Sequence, residues 1–335
     1  MTVSPSLGRT GILSRTRALG AEDERALRIM STSGLNLTPD FVPESKQRKL
    51  LSEAFMMEEQ DAQDAGAIGY MARALVQATI PHRDPGDVPA YGRRNGDMTL
   101  LIRPGYTLDE HNNPVSIGFP YGVIPRLLLA WITTVAVRTG ERRIHLGNSL
   151  SMFMSELGLD PTGGRNGTIT RLKEQMRRLF AATLSINYST KDVWSEGGFR
   201  ISDTATIFWD TKEPAQAGLW DSHLVLSETF FSEIIQRPVP LDLRAICTLR
   251  QSPLALDLYC WLTYRMFYLR RPTPISWESL RMQFGSDYKE VRQFKRRFLD
   301  ALRLVNVVYP VKAVPTVDFL ELHPGPTHVR RVASP

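Results

Sequence analysis

The sequence predicts an α+β fold made of two tandem winged-helix domains, preceded by an N-terminal region that is partly disordered and partly helical. Two observations support this prediction. A helix, a short strand, two further helices and two strand-like runs follow one another in the middle of the chain, and the same order recurs in its last third. The first helix of each copy opens with a proline, Pro125 or Pro253, a residue favoured in the first helical turn. This repeated order predicts an internal duplication.

The first copy shows clear start and stop signals. "PRLLLAWITTVAVRTG" has a proline at its start, a continuous apolar face and a glycine at its end, which predicts a helix. "RRIHLG" alternates as a short strand does, and "NSLSMFMSELGL" predicts a capped helix. After the turn "DPTGGRNG", apolar residues at helical spacing in "TITRLKEQMRRLFAATLSI" predict a third helix. We interpret "LSINYST" and "FRISDTATIFWD" as the strands of the wing, joined at the glycines of "EGG".

The second copy repeats these elements. "SPLALDLYCWLTYRMFYLR" predicts the first helix, "PTPIS" the short strand and "WESLRMQFG" the second helix. "SDYKEVRQFKRRFLDALR" predicts the third helix, and "VNVVYPVKAVPTVDFLEL" supplies the two wing strands.

These elements predict the division of the chain. Residues 1–80 form the N-terminal region, with a flexible arm up to about residue 42 and a helical segment over residues 44–80. We place the first winged-helix domain at residues 81–218, the second at residues 219–325, and a tail at residues 326–335.

Composition narrows the class of protein. The chain of 335 residues has a net charge of +6, and the excess lies at the C-terminal end, where residues 253–335 carry 13 basic and 7 acidic side chains. A local positive field of this kind favours a polyanionic partner, above all nucleic acid. No apolar run reaches the 18 or so residues of a membrane span, so no membrane association is expected. Cys247 and Cys260 match neither a disulfide framework nor a zinc motif, which indicates reduced thiols of a cytoplasmic protein.

The block "LLLAWITTVAVRTGERRIHLGNSLSMFMSELGLDPTGGRNGTITRLKEQMRRLF" resembles the characteristic block of plasmid-encoded RepA-type replication initiators, and the resemblance covers about residues 95–325. It implies two winged-helix domains that bind repeated double-stranded DNA sites at a plasmid origin, help to open the origin and recruit host replication proteins such as the host initiator and the replicative helicase. It also implies that the first winged helix supports dimerisation, in a monomer–dimer equilibrium.

The third helix of the second copy is our main candidate for DNA contact. Val291, Phe294, Phe298, Leu302 and Val305 recur at three and four residues as a buried stripe. The opposite side can enter a major groove, where Arg pairs with guanine and Gln with adenine. We assign base reading to Arg292, Gln293 and Arg296. The phosphate contacts are assigned to Lys289, Lys295, Arg297 and Arg303, and the wing contact to Lys312.

The first copy has a less purely basic third helix, because Glu174 interrupts its outward face. We assign it to phosphate contact and self-association. The residues assigned to phosphate contact here are Arg165, Arg171, Lys173, Arg177 and Arg178.

Catalysis is not expected. The six histidines form no His-x-His pair for a metal-dependent nicking site, and the chain has neither paired acidic metal ligands nor a Walker phosphate loop. We therefore expect no enzyme activity, metal or cofactor. Two alternatives to an initiator stay open: a winged-helix transcriptional repressor, and, less favoured, a DNA-nicking rolling-circle initiator. An initiator can also repress its own gene.

The apolar helix "LLLAWITTVAV" leaves a second choice open. It is more apolar than one small domain needs, so one of its faces either meets a second copy of the chain or forms the core between the two domains. The first alternative expects Val135 and Val137 at an exposed dimer face.

Overall fold

The computed structural model describes residues 44–190, 194–208, 222–285 and 288–330, which form an α+β fold. The flexible arm predicted up to residue 42 lies outside the described residues. The N-terminal elements are α1 (Glu44–Glu59), β1 (Ile68–Ala72), α2 (Arg73–Gln77), β2 (Tyr91–Asn95), β3 (Met98–Arg103), β4 (Gly105–Leu108) and β5 (Pro114–Gly118).

The first repeated unit follows. Its elements are α3 (Val123–Thr139), β6 (Arg143–His145), α4 (Leu150–Glu156), α5 (Thr168–Ala181), β7 (Thr183–Ser189), β8 (Trp194–Phe199), β9 (Ser202–Thr206) and β10 (His223–Leu226). The predicted helices and the short strand are confirmed. Gly140 ends α3 in the left-handed conformation with φ 70°, and the Ser149 side chain accepts a hydrogen bond from the Met152 N–H to cap α4.

A connecting segment leads to the second unit. It comprises α6 (Glu228–Gln236), β11 (Pro238–Asp242) and α7 (Leu243–Leu249). The second unit comprises α8 (Pro253–Tyr268), β12 (Thr273–Ser276), α9 (Trp277–Phe284), α10 (Val291–Val308), β13 (Ala313–Pro315) and β14 (Phe319–Leu322). Pro253 stands in the first turn of α8, which Ser252 caps through the Ala255 N–H.

Strand pairing shows that the two units share one topology. The first unit has the antiparallel sheet β6-β10-β9 and the second has β12-β14-β13, so in both the short strand after the first helix pairs with the last strand of the wing. The predicted duplication of winged-helix units therefore extends to the order of strands within each small sheet.

The predicted wing of the first unit was wrong in its first strand, because "LSINYST" is β7 of another sheet, whereas "FRISDTATIFWD" contains the wing strand β9. β7 and β8 form a hairpin, but it extends β2 and β3 into a separate sheet of order β2-β3-β7-β8. Gly197 and Gly198 lie within the edge strand β8 and make no turn. The wing strands are instead β9 and β10. Our boundary at residue 218 falls between these two paired strands, so by this criterion the first unit extends to Leu226.

The start and end of the third helix in the second unit also differ from the prediction. α10 begins at Val291, and Ser286 and Asp287 lie outside the described residues. It continues through "VNVV" to Val308, because Val305, Val307 and Val308 are buried on the apolar face that the helix already presents. The β-branched run resembled a strand, but tertiary packing outweighs its propensity.

The N-terminal region belongs to the folded body. Of the helix predicted over residues 44–80, α1 is confirmed, whereas β1 is a strand that pairs antiparallel with β11 from Ile68↔Asp242 to Ala72↔Pro238. α1 packs against α7 and α10. At the C-terminal end of α1, the carbonyl oxygens of Met56 and Gln60 accept from Arg244 on α7. The Met56 carbonyl also accepts from the Gln60 N–H (3.3 Å), and the arginine adds a donor to each of these two carbonyls at the helix end.

The two units are joined through a buried ion pair between their first helices. Arg126 on α3 is 4% exposed and Asp257 on α8 is 7% exposed, and they form two hydrogen bonds of 2.7 Å each. The guanidinium also donates to the carbonyls of Ile80, Pro81 and Gly122, so all five of its N–H groups are used. His82 Nε2 lies 2.7 Å from the second Asp257 oxygen.

The apolar character of α3 follows from its central position in the folded body. The helix is buried around most of its circumference, against β1, α5, α6 and α8. Val135 and Val137 are half-buried rather than exposed, and Val135 packs against the core. Of our two alternatives for α3, the packing supports the inter-domain core.

The C-terminal segment also packs on the body. Val329 is buried, the Tyr309 hydroxyl donates to the Pro326 carbonyl (2.6 Å), and the His328 ring stacks on Tyr309. The Tyr259 hydroxyl accepts from the Asp242 N–H (2.9 Å) and lies 2.8 Å from His328 Nδ1. Tyr259 therefore donates to an unprotonated Nδ1, and burial lowers the pKa of His328 to about 4. The segment from residue 326 to residue 330 is thus not a free tail.

The buried pair should dominate stability. Asp257→Asn leaves the Arg126 charge without a carboxylate, so we expect the free energy of unfolding to fall by about 3–5 kcal/mol in urea denaturation. Glu278→Gln removes the half-exposed pair with Arg281 and serves as the control, with an expected change below about 1 kcal/mol. Equal losses in the two variants would contradict the role given to Asp257.

The second prediction concerns pH. The folded pKa of His328 lies below the ordinary value of 6.5, so protonation favours the unfolded chain. The contribution of neutral His328 is complete above pH 6.5 and is lost as the pH falls towards 4. His328→Gln keeps an acceptor for Tyr259 and should flatten the decline of stability over this window. Parallel pH profiles for the two proteins, measured by urea denaturation, would rule this out.

Candidate nucleic-acid interface

The third helix of the second unit, α10, has one buried and one exposed basic face. Phe294, Phe298 and Leu302 are fully buried, and the aromatic rings of Phe284, Phe294 and Phe298 meet edge to face. Gly285 precedes the helix because a Cβ at this position would overlap the Phe294 ring. The stripe predicted from the sequence is confirmed, with Val291 only partly buried.

The opposite face carries the predicted base-reading residues. Arg292, Gln293 and Arg296 are exposed, as are Lys289 and Arg297. All five line one open cleft of about 690 Å³ at the N-terminal half of α10. A helix that presents its first turns with exposed Arg and Gln has the geometry by which winged helices enter a major groove.

The sequence did not reveal the other wall of this cleft. It is formed by His82 and Arg83, which lie far away in the chain, and Arg83 is exposed. The segment around Arg83 is rich in Pro, Gly and Asp, a composition typical of a linker or loop. Its arginine carried no periodic signal, because the residue reaches α10 only through the packing of one unit on the other. Arg83 adds a fifth Lys or Arg to the cleft.

Residues His82 to Asp84 contact three different elements in succession. His82 meets Asp257 on α8, Arg83 lines the cleft beside α10, and the Asp84 carboxylate lies 2.8 Å from Arg178 on α5. One short loop thus bonds to α5 through Asp84 and lines the cleft beside α10 through Arg83.

Burial keeps His82 neutral, whereas Arg126 and His82 keep Asp257 charged. Desolvation lowers the pKa of His82 below 6.5 and outweighs the attraction of Asp257. Burial alone raises the pKa of Asp257, but the charge of Arg126 and hydrogen bonds from His82 and Arg126 outweigh it, and the pKa falls to about 2. The loop is therefore anchored by an ionised carboxylate at neutral pH.

Two residues assigned to DNA in the second unit are engaged within the protein, and a third lies elsewhere than expected. Lys295 is half-buried, with Nζ bonded to the carbonyl oxygens of Thr316 and Val317 in the wing. Arg303 is half-buried and pairs with Asp300 at 2.9 Å. Lys312 is exposed, but it precedes β13 at the end of the hairpin away from the turn. The expectation that it lies between the two wing strands was wrong, because "VNVV" is helix and the hairpin starts after Lys312.

In the first unit, the predicted residues divide in a similar way. Four are exposed, namely Arg165, Arg171, Lys173 and Arg177. Arg178 instead is half-buried, donates to Asp84, Glu174 and the Phe119 carbonyl, and lies over the Tyr121 ring. Arg178 thus holds the joint between α5 and the loop at residue 84.

The turn before α5 is held by hydrogen bonds between its own two ends. The side chain of Thr162 accepts from the Thr168 N–H and that of Thr168 accepts from the Thr162 N–H, both at 2.9 Å. Gly164 has φ +87°, a conformation that side chains with a Cβ rarely adopt. The turn therefore requires a glycine at position 164.

Two searches within the described part of the chain were negative. No group of three or more His, Cys, Asp or Glu side chains is placed to hold a metal ion there. No helix in those residues is long and apolar enough to cross a membrane.

Comparison with known proteins gives one family match. Residues 119–279 match the family model described as plasmid-encoded RepA protein. This segment, just under half of the chain, is similar to the plasmid RepA family. It includes α3 to α5, the first wing, the connecting segment, α8 and β12, and it ends in the first turn of α9. The resemblance seen in the block around α3 to α5 is thereby confirmed.

Two solved structures are similar in fold. Both contain domains 2 and 3 of RctB, one as a selenomethionine derivative, and both share 14% sequence identity with this chain. The alignments cover 72% and 75% of this chain and 94% and 96% of the RctB chains, with TM-scores of 0.48 and 0.46. No curated protein matches the chain.

Proposed function

We propose that this chain is a plasmid replication initiator that binds repeated double-stranded sites at its origin through the N-terminal half of α10. The observation that carries the proposal is the open cleft in which Arg292, Gln293 and Arg296 face solvent beside Arg83. Exposed arginines on the first turns of such a helix match the donor pattern that reads guanine in the major groove. The matching plasmid RepA family model supports the origin as the target.

In this proposal the two units make different contacts with the DNA. α10 reads bases, while Arg165, Arg171 and Arg177 around α5 neutralise phosphates of the adjoining duplex. Because Asp84 and Arg83 lie on one loop, both helices meet the DNA in a fixed relative position. Opening of the origin, recruitment of the host initiator and helicase, autorepression and dimerisation belong to the same proposal and rest on the family alone.

Footprinting on the source replicon tests initiator against repressor. Several evenly spaced direct repeats protected at the origin support initiation, and a single protected inverted repeat over a promoter would replace it with repression. A transformation assay with the origin on a plasmid that lacks its own initiator gives the complementary result, because only an initiator restores replication.

Single substitutions should distinguish residues that read bases from residues that contact phosphates. Arg292→Ala and Arg296→Ala should each lose roughly 1–3 kcal/mol of discrimination at particular base pairs. Arg83→Ala should weaken cognate and random DNA alike and reduce the log–log salt slope by roughly 0.9. Arg271→Ala serves as the control, because Arg271 is exposed but lies outside the residues that line the cleft. Uniform losses for all four variants would remove α10 as the reading element.

The absence of catalysis is also a proposal that can be tested. We expect purified protein to bind supercoiled origin DNA and leave it uncut and free of covalent attachment, with no ATP hydrolysis, because binding alone accounts for the exposed groups of the cleft. Gel analysis after proteinase treatment detects a nick or a protein-linked 5′ end. Either product would favour the rolling-circle alternative.

A further inference from the structure

The wing of the second unit is anchored by a lysine from the reading helix. Lys295 on α10 donates to the carbonyl oxygens of Thr316 at 2.5 Å and Val317 at 3.2 Å, and its Nζ lies 4.8 Å from the centre of the Trp277 ring. Trp277 Nε1 donates to the same Thr316 oxygen at 3.1 Å. The turn between β13 and β14 is therefore tied to the start of α9 and to the second turn of α10.

The turn is also closed from within. The Thr316 hydroxyl accepts from the Phe319 N–H (3.1 Å) and donates to the Phe319 carbonyl (2.9 Å), while the Trp277 N–H donates to the Asp318 carbonyl (3.2 Å). These bonds already order the three-residue turn in the free protein, so binding a partner costs it little further conformational entropy. Such a turn is preorganised for contact.

The tip of this wing presents an apolar side chain. Val317 is 84% exposed, the highest exposure of any large hydrophobic residue in the described chain. No Lys or Arg occurs from Ala313 to Leu322, and the residue after Val317 is Asp318, also exposed. The wing therefore has no cation of its own with which to bind a phosphate, although a basic tip is the usual expectation for a DNA-binding wing.

We infer that Lys295 is a positioning residue that holds the wing so that Val317 packs against the sugars of the minor groove, next to the major groove occupied by α10. This inference rests on the proposed function. Lys295 is the direct neighbour of Arg296 in the chain, which places the wing anchor beside the reading face. Apolar side chains are a common means of contact in the minor groove.

The charge of Lys295 has a second effect in this arrangement. The carbonyl oxygens of Thr316 and Val317 carry partial negative charge and lie at the end of the wing that approaches the DNA. Unneutralised, they would repel phosphates in that position. The positive charge of Lys295 cancels this repulsion, although its N–H groups donate to protein carbonyls and not to phosphates.

The salt dependence of binding distinguishes this role from a direct phosphate contact. Lys295→Met and Val317→Ser should each reduce affinity for the cognate site by roughly threefold to tenfold, and the double variant should lose little more than either alone, because both remove one contact. The log–log salt slope should stay at the wild-type value for both. Lys295→Arg keeps a donor to the carbonyls and should recover part of the affinity.

Val314→Ser is the matched control, since Val314 is exposed on the same hairpin but away from the turn. It should bind as the wild type does. A slope reduced by roughly 0.9 in Lys295→Met would make Lys295 a phosphate contact and overturn the inference. Wild-type affinity in Val317→Ser would overturn it as well. Additive losses in the double variant would show that Lys295 and Val317 act independently, which also contradicts the inference.

Two measurements keep these outcomes distinct from failure of the fold or of the proposed function. Thermal unfolding identifies a Lys295→Met protein that is merely unfolded, and in that case Val317→Ser and Lys295→Arg decide the question. Loss of specific binding in Arg292→Ala together with wild-type binding in both wing variants would reject the wing contact and keep the proposed function. Wild-type binding in Arg292→Ala would reject the function itself.

Discussion

The buried pair of Arg126 and Asp257 is the interaction on which the arrangement of the molecule depends. Each residue lies on the first and most apolar helix of its unit, where an unpaired charge would be very costly. The cost is offset because all five guanidinium N–H groups have acceptors and both carboxylate oxygens have donors. An apolar pair could also fill this space, but it would not define the orientation of the two helices so narrowly. The directional bonds therefore fix one geometry between α3 and α8.

That geometry determines where the residues assigned to DNA contact lie. The guanidinium of Arg126 binds the carbonyls of Ile80 and Pro81, so the loop that follows is held against the joint. Arg83 then reaches the cleft of α10, and Asp84 reaches α5 through Arg178. The two units share one hydrophobic core, and Gln283 on α9 donates to the Gln77 carbonyl at its edge. A continuous body of this kind presents both third helices as one surface, and a change at the joint alters both.

The sequence predicted the local elements well and their partners less well. Proline and serine at helix starts, glycine at helix ends and helical spacing are local signals, so α3, α4, α8 and α9 were recognised from short segments. Strand pairing is not local. The hairpin of β7 and β8 has the pattern of a wing, and only contact with β2 and β3 places it in another sheet. Arg83 was missed for the same reason, since a linker arginine becomes part of a cleft only after the units have packed.

A local signal for the joint was nevertheless present. Arg126 interrupts the longest apolar run of the first unit, and Asp257 stands in the equally apolar first helix of the second. A charge in such a helix is buried, and a buried charge needs a partner of opposite sign. Opposite charges in the corresponding helices of two repeats therefore predict that the repeats meet through these helices. This argument would have favoured the inter-domain core over a dimer face for α3.

The basic residues of α10 do not all face solvent, and their spacing along the helix decides which do. Arg292 and Arg296 are four residues apart and lie on the exposed side, whereas Lys295 and Arg303 turn towards the flanks of the helix, where protein carbonyls or carboxylates are within reach. The positive charge on the flank still matters, because it cancels the negative ends of neighbouring groups and leaves the exposed arginines as the dominant field at the cleft. The net charge of the segment thus overstates the number of cations that face solvent, while it still identifies the face that we propose for DNA contact.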